Sequence, residues 1–174
     1  MTSLLRLASA VALVAATPVA ASDLFGGVYR HDVDLFTKTI HEGGADFELG
    51  YRFDPIAHIG VLGALSPYVL GSVNSAGGTD FAAAGLSLKV GGPIYVRPGV
   101  ALAVHDGRIK RYIGDERVDL GSRVLFEPEL AVGLQVAPRL AVEASYTHLS
   151  HAQLFSRQNP GLDMLGVRVN VHLR

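Results

Sequence analysis

The chain reads as an all-β protein, an eight-stranded antiparallel transmembrane β-barrel, on three observations. Long stretches alternate apolar with polar or small residues at a period of two. No cysteine is present to staple the fold. Beyond the amino terminus, no apolar run approaches the roughly 20 residues that a membrane-spanning helix requires. Yet 49% of the 174 residues are apolar and 20 are glycine. Such a chain is either a soluble β-barrel with an apolar interior or a barrel turned outward to lipid. The apolar rows are long and nearly unbroken, while the opposite rows mix Gly, Ala and charges of both signs. Small residues and paired charges suit a crowded lumen, which favours the lipid-facing orientation.

At the amino terminus Arg6 precedes an apolar run from Leu7 to Ala16, Thr17-Pro18 breaks it, and Val19-Ala20-Ala21 offers small residues for cleavage. Residues 1–21 are therefore expected to be a secretory signal peptide, and 22–174 a single barrel domain. A weak strand is predicted near 25–36. From Gly44 to Phe53, Ala45, Phe47, Leu49, Tyr51 and Phe53 oppose Gly44, Asp46, Glu48, Gly50 and Arg52. Weaker strands follow near 67–74 and 81–90, and a clear one over 94–105. In 123–136, Val124, Phe126, Leu130, Val132 and Leu134 form the outer row, with Glu127 and Glu129 inward. Pro128 lacks a ladder donor and suggests a bulge there. Segments 140–150 and 163–174 complete the count.

Charge inside a barrel must be paired, so Glu127, Glu129 and Glu143 are expected to meet Arg97, Arg123 or Arg168. Tyr51, Phe53, Tyr95, Phe126 and Tyr146 could supply a thin aromatic girdle. Turn lengths give direction: Gly91-Gly92-Pro93 and Ala137-Pro138 are tight, whereas 106–121 and 152–162 are long, as expected for periplasmic turns and external loops. The long connection 54–63 conflicts with this scheme, because it falls on the short-turn side.

Composition excludes several functions. Fifteen basic against 16 acidic side chains give a formal net charge of −1, with no basic patch for nucleic acid and no polybasic tail. Without cysteine there is no thiolate metal site and no cysteine nucleophile. His148 and His151, supplemented by His31 or His41, are the histidines to weigh as metal ligands. Residues three apart on a strand point to opposite faces, so no metal is expected. His105 and His172 fall on the lumen side, and the pairs Gly77-Gly78 and Gly91-Gly92 read as turns.

The last thirty-odd residues stand out. Leu140, Val142, Ala144, Tyr146, His148 and Ser150 share one strand face, and Asp163 begins the apolar row Leu165, Val167, Val169, Val171, Leu173. A register that matches the two apolar rows sets Ser150 near Asp163 and His148 near Leu165. A serine, a histidine and a carboxylate gathered this way are the parts of a hydrolytic triad. The same pattern also fits a solvated hairpin tip, and alternation alone does not choose between them.

The sequence YTHLSHAQLFSRQNPGLDMLGVRVNV resembles the signature of the PagL-type lipid A 3-O-deacylase family, which are eight-stranded outer-membrane barrels. The family's His-x-Ser falls on His148 and Ser150, and its Asn-x-Gly-x-acid element on Asn159, Gly161 and Asp163. The resemblance implies Ser150 as nucleophile, His148 as base and Asp163 as orienting carboxylate, with Asn159 and Gly161 near the oxyanion. It implies ester hydrolysis on lipid A or lipopolysaccharide at the bacterial outer membrane, without a metal or organic cofactor. His151 stands where the family commonly has asparagine, Asp163 where it has glutamate, and the intervening loop is one residue longer. Two other classes compete: a non-enzymatic outer-membrane barrel that is structural or binds a partner, and a secreted soluble barrel holding an apolar ligand.

Overall fold

A computed structural model describes residues 21–37, 42–110 and 117–173. The proposed signal peptide falls almost wholly outside these residues, as does His41. Eight long strands form the wall: β1 (Ala21–Arg30), β2 (Ala45–Phe53), β4 (Ala64–Asn74), β5 (Phe81–Gly91), β6 (Ile94–His105), β7 (Val124–Ala137), β8 (Leu140–Leu149) and β9 (Leu162–His172). All neighbours are antiparallel, β9 pairs with β1, and β2 pairs with β4. The sheet is therefore closed, and closure removes the unpaired edges of an open sheet.

The period-two pattern translates directly into two faces. Leu49, Leu102, Val132 and Val167 are more than half exposed on the outside, while Glu48, Ala103, Ala131 and Arg168 are buried in the lumen. This orientation excludes the soluble barrel with an apolar interior.

The connection between β2 and β4 is the one that conflicts with the turn-length scheme. It lies at the short-turn end and has structure of its own: the two-residue strand β3 (Ala57–His58) pairs with the start of β4, followed by a 3-10 turn at Gly60–Leu62. It is long because part of it folds back on the start of β4 before the chain enters that strand.

Inside, charge is paired around one arginine. Arg168 Nε donates to Glu143 Oε2 at 2.8 Å, and its Nη1 to Glu129 Oε2 at 2.8 Å and Glu48 Oε1 at 3.4 Å. Arg97 Nε reaches Glu143 Oε1 at 3.0 Å. Glu127 departs from expectation, since its partner is the Tyr68 hydroxyl at 2.6 Å. Arg123 instead donates to the carbonyls of His105 and Gly107.

Aromatic rings fill the remaining space by lying over glycines on the next strand. Phe25 is paired with Gly50 and Tyr95 with Gly133, where any Cβ would come 2.2 Å from the ring. Tyr95 is thus a lumen residue, 2% exposed, and not part of a girdle. Pro128 causes no register shift against β6, where it pairs with Val100. The shift instead falls between Gln135 and Ala137, next to the tight turn.

Candidate active site

The polar residues of the last hairpin lie at the loop end of the barrel. Strand pairing sets His148 opposite Asp163 and Tyr146 opposite Leu165, two residues away from the register that aligns Ser150 with Asp163. The correction has a simple cause. A slip of two residues preserves which side chains share a face, so the apolar rows do not choose between these registers. Ser150 has left the hairpin by this point, and its backbone bridges Phe126 on β7 through bonds of 2.7 and 3.1 Å.

His148 Nδ1 and Asp163 Oδ1 are 2.6 Å apart. The imidazole is 21% exposed and the carboxylate fully buried. Four further donors hold Asp163. The Tyr146 hydroxyl donates to Oδ1 at 2.7 Å, while Phe36 N, Thr37 N and Thr37 Oγ1 donate to Oδ2 at 2.7, 2.9 and 3.1 Å. A carboxylate accepts only, so this set of donors favours the ionised form and leaves an imidazole N–H to complete Oδ1. With Nδ1 protonated, Nε2 is the free basic nitrogen of His148.

Tyr146 could have been noticed from its place on the same row as His148. Phe36 and Thr37 carried no local signal, because their contact with Asp163 spans more than 120 residues of sequence.

Ser150 and His148 are both partly exposed, but no hydrogen bond joins them. Asn159 is not bonded to either; its Oδ1 accepts the backbone N–H of His151 at 2.9 Å, leaving the amide nitrogen as its remaining donor. His151 is buried, with Nε2 2.8 Å from the Gln158 carbonyl and 3.3 Å from Ser156 Oγ. It fastens the loop between β8 and β9.

Gly161 adopts φ +77°, and a Cβ there would sit 2.8 Å from His148 Cε1. Gly161→Ala is therefore expected to push the ring and strain the backbone. It should shift the imidazole resonances of His148 in folded barrel, measured by nitrogen-15 NMR. Unchanged resonances would mean that the ring keeps its place without the glycine.

The loop carrying Phe36 and Thr37 is itself anchored. His31 lies between Asp46 and Glu42, with Nδ1 2.8 Å from the Asp46 carboxylate and Nε2 2.9 Å from Glu42 Oε2. Glu42 also accepts from Thr79 N and Val118 N, at 2.7 and 2.8 Å, so one carboxylate ties three loops together.

Burial alone would lower the His31 pKa, but the bonds from Asp46 and Glu42 outweigh it and raise it from 6.5 to about 9. Burial would likewise raise Glu42, yet its bonds to His31 and the two backbone N–H groups hold it below its ordinary value. The His31 contribution is complete below pH ~6.5 and lost as pH rises through about 9. That of Glu42 is lost in acid, as pH falls through its depressed pKa. Hydrogen exchange in the 31–37 segment is expected to accelerate between pH 7 and 10 beyond its intrinsic base dependence, and His31→Asn should remove this excess. An excess that persists in the variant would discount the histidine.

Comparison with solved structures supports the architecture. The outer membrane enzyme PagL superposes with a TM-score of 0.63 at 18% identity, covering 87% of this chain and all of that one. The N-terminal β-barrel domain of Pseudomonas aeruginosa OprF gives 0.54 at 9% identity, covering 88% and 97%. Neisserial surface protein A gives 0.51 at 16%, covering 87% and 97%. At these identities the likeness concerns the fold. No curated protein sequence matches the chain. The family model described as lipid A 3-O-deacylase (PagL) matches residues 45–172, most of the barrel wall and all of the polar cluster on β8 and β9, and the chain belongs to that family.

Proposed function

We propose that this outer-membrane barrel removes the 3-O-linked hydroxyacyl chain of lipid A, with Ser150 as nucleophile, His148 as base and Asp163 as the group that orients the base. The observation that carries the reading is the buried Asp163 carboxylate bonded to His148 Nδ1 on the outward, apolar-flanked row of β8. That bond fixes the tautomer which leaves Nε2 as acceptor for a hydroxyl proton.

In the proposed reaction, Ser150 Oγ attacks the ester carbonyl as its proton passes to His148 Nε2. The tetrahedral intermediate collapses, and the sugar 3-hydroxyl leaves with that proton. Water, deprotonated by the same nitrogen, then attacks the acyl-enzyme and releases a 3-hydroxy fatty acid while Ser150 recovers its proton. The free amide N–H of Asn159 and the backbone beside Gly161 are the candidates for stabilising the oxyanion. The missing Ser150–His148 bond is compatible with this scheme, since such contacts tighten when substrate binds. Neither a metal nor an organic cofactor is needed.

The outward placement suits the substrate. Lipid A already has its acyl chains in the bilayer, so a site on the lipid-facing exterior meets the ester without extracting the lipid. In this reading, residues 1–21 direct export and are removed, Ser22 begins the mature chain, and the site lies at the outer-leaflet boundary.

In cells producing the protein, mass spectrometry of lipid A is expected to show the loss of one hydroxyacyl chain together with release of the matching 3-hydroxy fatty acid. Fully acylated lipid A alongside correctly inserted barrel would end this reading in favour of a non-enzymatic barrel.

A further inference from the structure

At the opposite end of the lumen, where the short turns are, a cavity of about 210 Å³ opens between β5, β6, the β7–β8 turn and β9. Water occupies roughly 30 Å³ per molecule in the liquid, so the space suits a small ion with some hydration. Three cations line the cavity: Lys89, Arg97 and Arg139. Lys89 Nζ and the Arg97 guanidinium both stack on Tyr95, 4.3 and 5.2 Å from the ring centroid. Two like charges share one ring.

The acids nearby are already engaged. Asp23 gives one oxygen to Arg52 and the other to His172. Glu143 accepts from Arg97 Nε and the Tyr95 hydroxyl on Oε1, and from Arg168 on Oε2. Donors, in contrast, are left over. Arg97 uses only Nε, and among the described residues Lys89 Nζ and the Arg139 side chain have no hydrogen-bond partner. Asn170 lines the cavity and is 3% exposed; its Oδ1 is taken by Arg52, and its Nδ2 is unpartnered. Arg52, 1% exposed behind Asn170, also has an unpartnered Nη2. Buried donors without acceptors are costly, and two such donors, Arg52 Nη2 and Asn170 Nδ2, sit here on separate strands, with Arg139 exposed at the cavity mouth.

We propose that this cavity binds a phosphate group, held by Lys89, Arg97, Arg139 and Asn170. The surplus of cations favours an anion of more than one charge, and donors converging from four separate segments fit a tetrahedral oxyanion better than a planar carboxylate. Two sources share this chemistry: free inorganic phosphate entering from the periplasm, and the headgroup of a phospholipid in the adjoining leaflet.

The test uses the folded barrel in a maltoside detergent, titrated with inorganic phosphate and, separately, with short-chain phosphatidylglycerol below its micelle concentration. Phosphate is expected to raise the unfolding temperature saturably, and sodium chloride at matched ionic strength is not. The double variant Lys89→Met, Arg139→Gln spares the central ion pairs and should weaken binding at least about ten-fold, the cost of losing one charge-assisted hydrogen bond. Lys89→Arg should retain binding, which keeps the test decisive if the double variant fails to fold. A response to phosphatidylglycerol alone would support the site and assign it to the headgroup. No saturable response to either ligand, or equal affinity in the folded double variant, would overturn the proposal.

Discussion

Ser150→Ala is expected to lower lipid A deacylation by about 10⁴- to 10⁶-fold, the loss that follows removal of an activated nucleophile, while the barrel assembles normally. Ser150 has only backbone bonds to Phe126, and those survive the substitution. Asp163→Asn separates catalysis from packing more sharply. All five groups around the carboxylate are donors, so an amide nitrogen at either oxygen position meets another donor. If it displaces the His148 Nδ1–H, the ring adopts the other tautomer and loses its free base at Nε2. The expected loss is about 10⁴-fold in kcat, by analogy with aspartate-to-asparagine changes in other triads. Single-turnover kinetics on heat-modifiable, folded protein is the measurement. Activity within a few-fold of the parent in either variant would remove these residues from the chemistry.

Arg168→Met is expected to produce the largest loss of stability of any single lumen change. The side chain is fully buried and pairs with Glu129, Glu143 and Glu48, of which only Glu143 also has Arg97. Methionine fills much of the volume but leaves these carboxylates short of their cation, and breaking a buried pair in this way costs about 3–5 kcal/mol. Urea unfolding in detergent micelles measures it, and a change below about 1 kcal/mol would show that the lumen hydrates the acids instead. Replacing the glutamates together with the arginine, by Arg168→Met, Glu129→Gln, Glu143→Gln, should recover much of the loss, because uncompensated charge and not lost volume is the main penalty.

Strand positions were legible because alternation is local: 94–105 was predicted at the same bounds as β6, and 44–53 within one residue of β2. The inward charges were legible for the same reason. Their partners were less so, since period two states which face a residue occupies but not its height in the barrel. Glu127 therefore meets Tyr68 from β4 and not an arginine, and Tyr95 stacks inside against Gly133.

The membership of the site divides along the same line. His148, Asp163 and their shared face follow from the sequence of β8 and β9, and the resemblance of one thirty-residue stretch supplied the roles proposed for them. The His148–Asp163 pairing did not follow, because a two-residue slip leaves every apolar row intact. Nor did the clamp on Asp163 from Phe36 and Thr37, or the His31–Glu42 anchor that ties their loop down. The clamp exists because closure of the sheet places β1 beside β9, whereas the anchor joins residues 11 apart within the β1–β2 connection. A period of two determined the barrel and which side each residue faces, whereas contacts between segments more than a hundred residues apart were decided by closure, which local patterning does not encode.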